Sequence, residues 1–182
     1  MRMLLAEFIS LDGVVQAPGA EREDPAGGFR HGGWARPYVD DEVMGPAIDE
    51  LMTTTDAVLF GRRTYQAVAA TWAAGTDDAA RRLLTMPKYV ASRTLGASDV
   101  TWDQTVVLGG ADARPAIRRL KSEGRGTLTL MGSAELARQL IADGLVDEYR
   151  LMIEPVLLGG GKRVFPHDGW KRSLRLVSVE PT

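Results

Sequence analysis

The sequence has no cysteine, which excludes disulfide scaffolds, thiolate metal centres and cysteine nucleophiles. Histidine is almost as scarce. His31 and His167 are the whole supply, and their separation does not match a zinc-ligand spacing. Charge of one sign is also lacking: 22 Lys and Arg stand against 24 Asp and Glu, a net charge of −2. A nucleic-acid-binding domain usually carries a basic excess, so that class loses weight. No apolar run approaches the roughly 20 residues that span a bilayer. Glu7 and Asp12 interrupt the apolar N-terminal stretch, which reads as a core strand rather than a signal peptide. A cytoplasmic protein that engages neither nucleic acid nor membrane is expected.

What remains is an ordinary globular balance. The 182 residues are 45% hydrophobic and 25% charged, enough for one domain over residues 1–182 and too few for two large ones. Met3 to Ile9 reads as a buried strand running into the turn Ser10-Leu11-Asp12-Gly13. The Gly- and Pro-rich stretch Gln16–Pro37 follows, a loop long enough to suggest a mobile lid. Asp41 to Thr54 has helical periodicity, with Asp40 or Asp41 as cap. Beyond it the pattern predicts a strand at Ala57–Phe60 and helices at Thr64–Ala70 and Asp77–Leu84. Strands follow at Lys88–Ala91, Val100–Trp102 and Thr105–Leu108. Gly109-Gly110-Ala111-Asp112 opens a further helix, Thr127–Met131 is a strand, and Gly132-Ser133 turns it into the next helix. Glu148–Ile153 and an alternating edge segment, Leu174–Val179, complete the series. Alternating strands and helices predict an α/β fold with a mostly parallel sheet and antiparallel C-terminal strands.

Three junctions carry the chemistry. In Val58-Leu59-Phe60-Gly61-Arg62-Arg63-Thr64-Tyr65 a strand feeds a turn that opens a helix. Gly61 permits close approach, Arg62 and Arg63 supply positive charge, and Thr64 adds a hydroxyl beside free helix N–H groups. At the second, Ser92 and Arg93 end a strand. At the third, Gly132, Ser133, Ala134, Glu135 and Leu136 point a helix N-terminus at the same crevice, an arrangement suited to a pyrophosphate. Ligands of open α/β sheets lie outside the carboxyl ends of strands, where all three junctions fall.

The segments ISLDGVV (9–15), VLFGRRTY (58–65), ASRTL (91–95), TLMGSAELARQLI (129–141) and EPVLLGGGKRVF (154–165) resemble, in order and spacing, the dihydrofolate reductase-like superfamily. The similar branch is the C-terminal reductase domain of the bifunctional riboflavin-biosynthesis deaminase–reductase. The resemblance implies a dihydrofolate reductase-like three-layer α/β/α fold and NADPH as cofactor. It places Arg62, Arg63 and Thr64 on the adenosine phosphate and pyrophosphate, and Ser92 and Arg93 at the 2′-phosphate. Gly132 to Leu136 would pass under the pyrophosphate, and Asp12-Gly13-Val14-Val15 would begin the loop that meets the nicotinamide.

The implied reaction is hydride transfer to a ribosylamino-pyrimidine or other small heterocycle. A dihydropterin, dihydrofolate or other carbonyl or imine reductase of the same fold is the first alternative, and a non-catalytic nucleotide-binding protein the second. The carboxylate that serves folate reduction in this superfamily would fall near Gly45. Asp12, His31 and Trp34 are candidate substrate contacts, with Trp34 equally readable as a loop anchor. Gly159-Gly160-Gly161-Lys162 reads as a flexible turn, and Trp72, Trp102 and Trp170 as packing residues. The resemblance also implies a homodimer, in which a partner chain could complete the sheet edge after Val179.

Overall fold

Among the described residues six strands and five α-helices follow one another along the chain, and the sheet they build sets the position of most candidate site residues. The computed structural model describes residues 1–72, 75 and 78–180. The elements are β1 (Arg2–Ser10), α1 (Asp41–Thr54), β2 (Ala57–Gly61), α2 (Arg62–Trp72), α3 (Asp78–Thr85) and β3 (Lys88–Ala91). They continue with β4 (Thr105–Leu108), α4 (Arg114–Glu123), β5 (Thr127–Met131), α5 (Ala134–Ala142) and β6 (Glu148–Glu154). The sheet order is β4-β3-β2-β5-β1-β6, and every ladder in it is parallel. The fold is dihydrofolate reductase-like, with helices on both faces of the sheet.

Strand periodicity sorts the layers. Met3, Leu5 and Ile9 of β1, Leu59 of β2 and Leu128 and Leu130 of β5 point to one face, against Ile117 of α4 and Leu136, Ala137 and Leu140 of α5. Val58, Phe60 and Val90 point to the other, against Met52 of α1, Tyr65 of α2 and Leu83 of α3. Strands buried from both sides need near-continuous apolar sequence, and the β5 run Thr127-Leu128-Thr129-Leu130 is buried throughout. The polar member Thr129 is satisfied by Thr55, their hydroxyls 2.7 Å apart.

Several expectations need revision. The antiparallel C-terminal strands are not found among the described residues. β6 lies parallel to β1, because α5 returns the chain to the starting edge before β6 begins. Leu174–Val179 forms no strand, and Leu174, Leu176, Val177 and Val179 are exposed. Its alternating pattern records a face suited to burial without naming the surface that buries it. Trp170, expected to pack, is 78% exposed.

Val100–Trp102 is also irregular, since its N–H groups are used elsewhere. The Tyr65 hydroxyl accepts from the N–H of Thr101 (3.0 Å) and of Trp102 (3.2 Å). The second helix starts at Arg62 rather than Thr64, so both arginines occupy its first turn. Asp40 caps α1, its carboxylate accepting from the Glu42 N–H at 2.9 Å. The expected Asp77 cap lies outside the described residues. Among the described residues no helix is long and apolar enough to cross a membrane.

Tyr65 is almost wholly buried, with its ring edge-on to Trp102 at a centroid distance of 5.9 Å. Tyr65→Phe keeps the packing and strips the acceptor from two backbone N–H groups. The expected loss is about 1–3 kcal/mol of stability, seen as a lower urea midpoint at unchanged slope.

Candidate functional site

Strand β1 pairs with β5 only from Arg2↔Thr127 to Ala6↔Met131. Its pairing with β6 runs on to Ser10↔Glu154. The two central strands therefore part at their carboxyl ends, and a cavity of about 700 Å³ opens there. It is lined by Gly61, Arg62, Arg63 and Thr64 from the β2–α2 junction, Ser92 and Arg93 after β3, and Gly132 through Leu136 at the β5–α5 junction. Val15 lines it too, whereas Val14 does not. The three junctions read from the sequence thus meet at one place.

The β2–α2 and β5–α5 turns are tied together by one serine. The Ser133 hydroxyl accepts the Gly61 N–H at 2.7 Å and donates to the Thr64 hydroxyl at 2.8 Å. Ser133 holds a left-handed backbone, φ 70° and ψ 57°, which costs a non-glycine residue about 1–2 kcal/mol. Gly132 precedes it at φ 59°, and a Cβ there would stand 2.7 Å from the Thr64 methyl. Only glycine fits that approach. Because Ser133 spends its hydroxyl on the neighbouring turn, it makes no side-chain cap to α5. The first-turn N–H groups of α5, at Ala134, Glu135 and Leu136, are left without a side-chain cap beside the cavity.

The cations around the cavity differ in how they are engaged. Arg114 is bound bidentately by Asp112, at 2.9 and 3.1 Å. Arg63 lies 3.6 Å from Asp24. Arg62 reaches only the neutral Gln66, at 3.5 Å. Neither Arg62 nor Arg93 has an ion-pair partner among the described residues. The Ser92 hydroxyl accepts from the N–H groups of Thr94 (3.1 Å) and Leu95 (2.9 Å), which shapes the Arg93 turn and leaves its own proton free to donate. An uncapped helix N-terminus and two uncommitted guanidinium groups around one cleft suit a phosphorylated ligand.

Asp12 and Trp34 line neither this cavity nor its neighbour. Asp12 accepts from the Ser10 hydroxyl (2.7 Å) and from the N–H groups of Leu158 (3.1 Å) and Gly159 (3.0 Å). Those bonds, the Ser10 bond foremost, hold its carboxyl below the usual range. Trp34 is 7% exposed and donates its indole N–H to the Gln16 carbonyl at 2.8 Å, the contact of a loop anchor. His31 lies in an adjoining cavity of about 450 Å³ with Phe29, Arg30 and Gly160. Gln16 and Lys162 border both cavities.

Side-chain bonds join the loop to the glycine turn. The Gln16 side chain donates to the carbonyls of Asp24 (2.8 Å) and Ala26 (2.9 Å), and accepts from the Lys162 N–H (2.9 Å). Lys162 also pairs with Asp24.

Sequence reasoning missed several lining residues: Glu7, Gln16, Glu23, Asp24, Arg114 and Lys162. Gly109-Gly110, after β4, offered the same strand-end signal as the other junctions and led only to a helix start. For Gln16 and Glu23 no local signal existed, because they reach the cavity through the path of the loop. A second buried acid, Glu154, lies at the carboxyl end of β6, outside both cavities, and burial raises its pKa.

The family model of the RibD C-terminal domain matches residues 3–182. The uncharacterized protein YyaP of Bacillus subtilis (strain 168) is 27% identical over 183 residues, covering 98% of this chain and 87% of YyaP. A Shewanella sp. PV-4 crystal structure, assigned provisionally to riboflavin biosynthesis, aligns at TM-score 0.66 and 21% identity, over 99% of this chain and 92% of that one. Dihydrofolate reductase from Enterococcus faecalis, complexed with NADP(H), aligns at TM-score 0.54 and 13% identity, over 93% and 79%.

Ser133→Ala leaves the Gly61 N–H without its acceptor and unties the two turns. We expect a loss of about 1–3 kcal/mol, measured by chemical denaturation, with faster hydrogen exchange at the Gly61 amide.

Proposed function

Because this chain belongs to the RibD C-terminal domain family, we propose that it is an NADPH-dependent reductase acting on a small heterocyclic or ribosylamino-pyrimidine substrate. The observation that carries the reading is the meeting of the uncapped α5 N-terminus with Arg62 and Arg93 around the cleft where β1 and β5 part. The first-turn N–H groups of α5 would hold the pyrophosphate, with the helix dipole favouring its charge. Arg62 and Arg93, with the Ser92 hydroxyl, would clasp the 2′-phosphate. NADPH supplies the hydride. Gln16 and Lys162, stapled to the loop above, would close the cleft against water. The adjoining cavity, lined by Arg30 and His31, would offer room for an anionic substrate.

A nucleotide-binding protein without turnover is the competing class. Oxidation of NADPH with a panel of pyrimidine, pterin and small imine substrates separates the two, since a binder leaves the cofactor reduced throughout.

A homodimer is part of the same proposal. Support comes from β6, which among the described residues is an edge strand with β1 as its only sheet neighbour. Beyond it runs an exposed segment holding Trp170, Leu174, Leu176 and Val179, apolar surface that association would bury. Sedimentation at micromolar concentration should give twice the 19.8 kDa chain mass; a monomer would refute this part.

Cofactor choice gives the sharpest test. Arg62→Ala removes one charge-assisted contact, worth about 1.5–3 kcal/mol, and should weaken NADPH binding by roughly 10- to 150-fold while NADH binding stays nearly unchanged. Arg93→Ala should act in the same sense and less strongly. Equal weakening of both dinucleotides by both variants would move these arginines from the 2′-phosphate to the shared pyrophosphate.

A further inference from the structure

Glu7 is a buried acid with no structural duty. It is 4% exposed, and its Oε1 has no hydrogen-bond partner among the described residues. It is the first residue of β1 beyond Ala6, the last to pair with β5, and it remains in register with Leu151 of β6. Leu5 and Ile9, two residues to either side, point into the α4–α5 layer, and strand alternation turns Glu7 the same way. There it lines the large cavity beside Gly132 and Ser133. A strand buried on both faces has no packing use for a carboxyl whose oxygen finds no partner.

Burial raises the Glu7 pKa well above the ordinary carboxyl value, and nearby Glu23 raises it further. Of the other charged groups that line the cavity, Arg62 and Arg93 stand at the junctions after β2 and β3 with no ion-pair partner among the described residues, and the rest are largely matched. Asp24 in the loop pairs with Lys162 and lies 3.6 Å from Arg63 of α2. Glu135 of α5 pairs with Arg138 at 2.7 Å. Tyr149 of β6, on the same face as Leu5, has its pKa raised above 10 by burial, so it stays neutral across the range in question. Glu7 is thus a buried carboxyl facing the cleft, whose ionised form a nearby positive charge would favour.

On the reductase reading above, the arginine side of the cleft would hold the phosphates, which would leave the parting of β1 and β5, lined by Glu7 and Val15, for the ring end of the dinucleotide. The reduced nicotinamide ring is neutral and the oxidised ring carries one positive charge. We propose that Glu7 is the group that distinguishes the two redox forms of the bound cofactor, facing the reduced ring as a carboxylic acid and the oxidised ring as a carboxylate. Binding of the oxidised form then releases the Glu7 proton to solvent, and binding of the reduced form does not. The sign follows from electrostatics: a cation within several ångströms in a poorly screened cleft favours the ionised carboxyl. As pH rises, the oxidised form gains affinity relative to the reduced one.

The test measures dissociation constants of NADPH and NADP⁺ for the full chain between about pH 5.5 and 8.5, in wild type and Glu7→Gln. Both nucleotides carry the 2′-phosphate, which itself titrates near pH ~6, so its contribution cancels in their ratio. In wild type the ratio should shift toward NADP⁺ by about tenfold for each pKa unit that the ring charge moves Glu7. In Glu7→Gln, which keeps the size without the titration, the ratio should be flat. Calorimetry of the wild type in two buffers of different ionisation enthalpy gives a second readout that needs no variant: proton release with NADP⁺ and none with NADPH. Binding of both nucleotides with a pH-independent ratio in wild type, or an unchanged slope in Glu7→Gln, overturns the role of Glu7 and leaves the reductase reading standing. Failure of either nucleotide to bind at any pH overturns both.

Discussion

Strands β1 and β5 share hydrogen bonds only as far as Ala6 and Met131, and the arrangement of the rest of the molecule depends on that parting. Two neighbouring strands at the centre of a parallel sheet ordinarily exhaust each other's backbone groups. Here β1 stays bound to β6 for several residues more, while β5 ends at Met131 and turns into α5. The sheet stays whole at its amino end and opens at its carboxyl end. A cleft in that position collects the carboxyl ends of β2, β3 and β5 and the helices that follow them.

The opening is held in shape by polar contacts of modest individual strength. Ser133 joins two cleft-lining turns that are 72 residues apart in sequence, and so ties the N-terminus of α2 to that of α5. On the opposite wall Gln16 bonds to the loop at Asp24 and Ala26 and to the glycine turn at Lys162. Asp12 fastens the same turn from below through Leu158 and Gly159. Each bond contributes about 1 kcal/mol net, yet together they position the cover without a regular element. Helix N–H groups, and arginines with no ion-pair partner among the described residues, then line one cleft.

The sequence alone determined the α/β class, the order of most of its elements, and three short segments that meet at one cleft. Those properties are local. A strand-buried apolar run, a glycine at a strand end and a hydroxyl or arginine at a helix start are legible from neighbours within a few residues, and Gly61 to Thr64 and Gly132 to Leu136 were legible for that reason. Only the tertiary structure decided what depends on distant partners. The direction of β6 follows from a crossover. The irregular Thr101–Trp102 segment follows from a tyrosine hydroxyl 36 residues earlier in the chain. Trp34 became a loop anchor through the Gln16 carbonyl, 18 residues before it. Glu7 reads in sequence as a polar interruption of a strand, and it reaches the cleft because β5 leaves β1 at the residue before it. Burial and charge depend on what lies across a gap in space, which spacing along the chain does not encode.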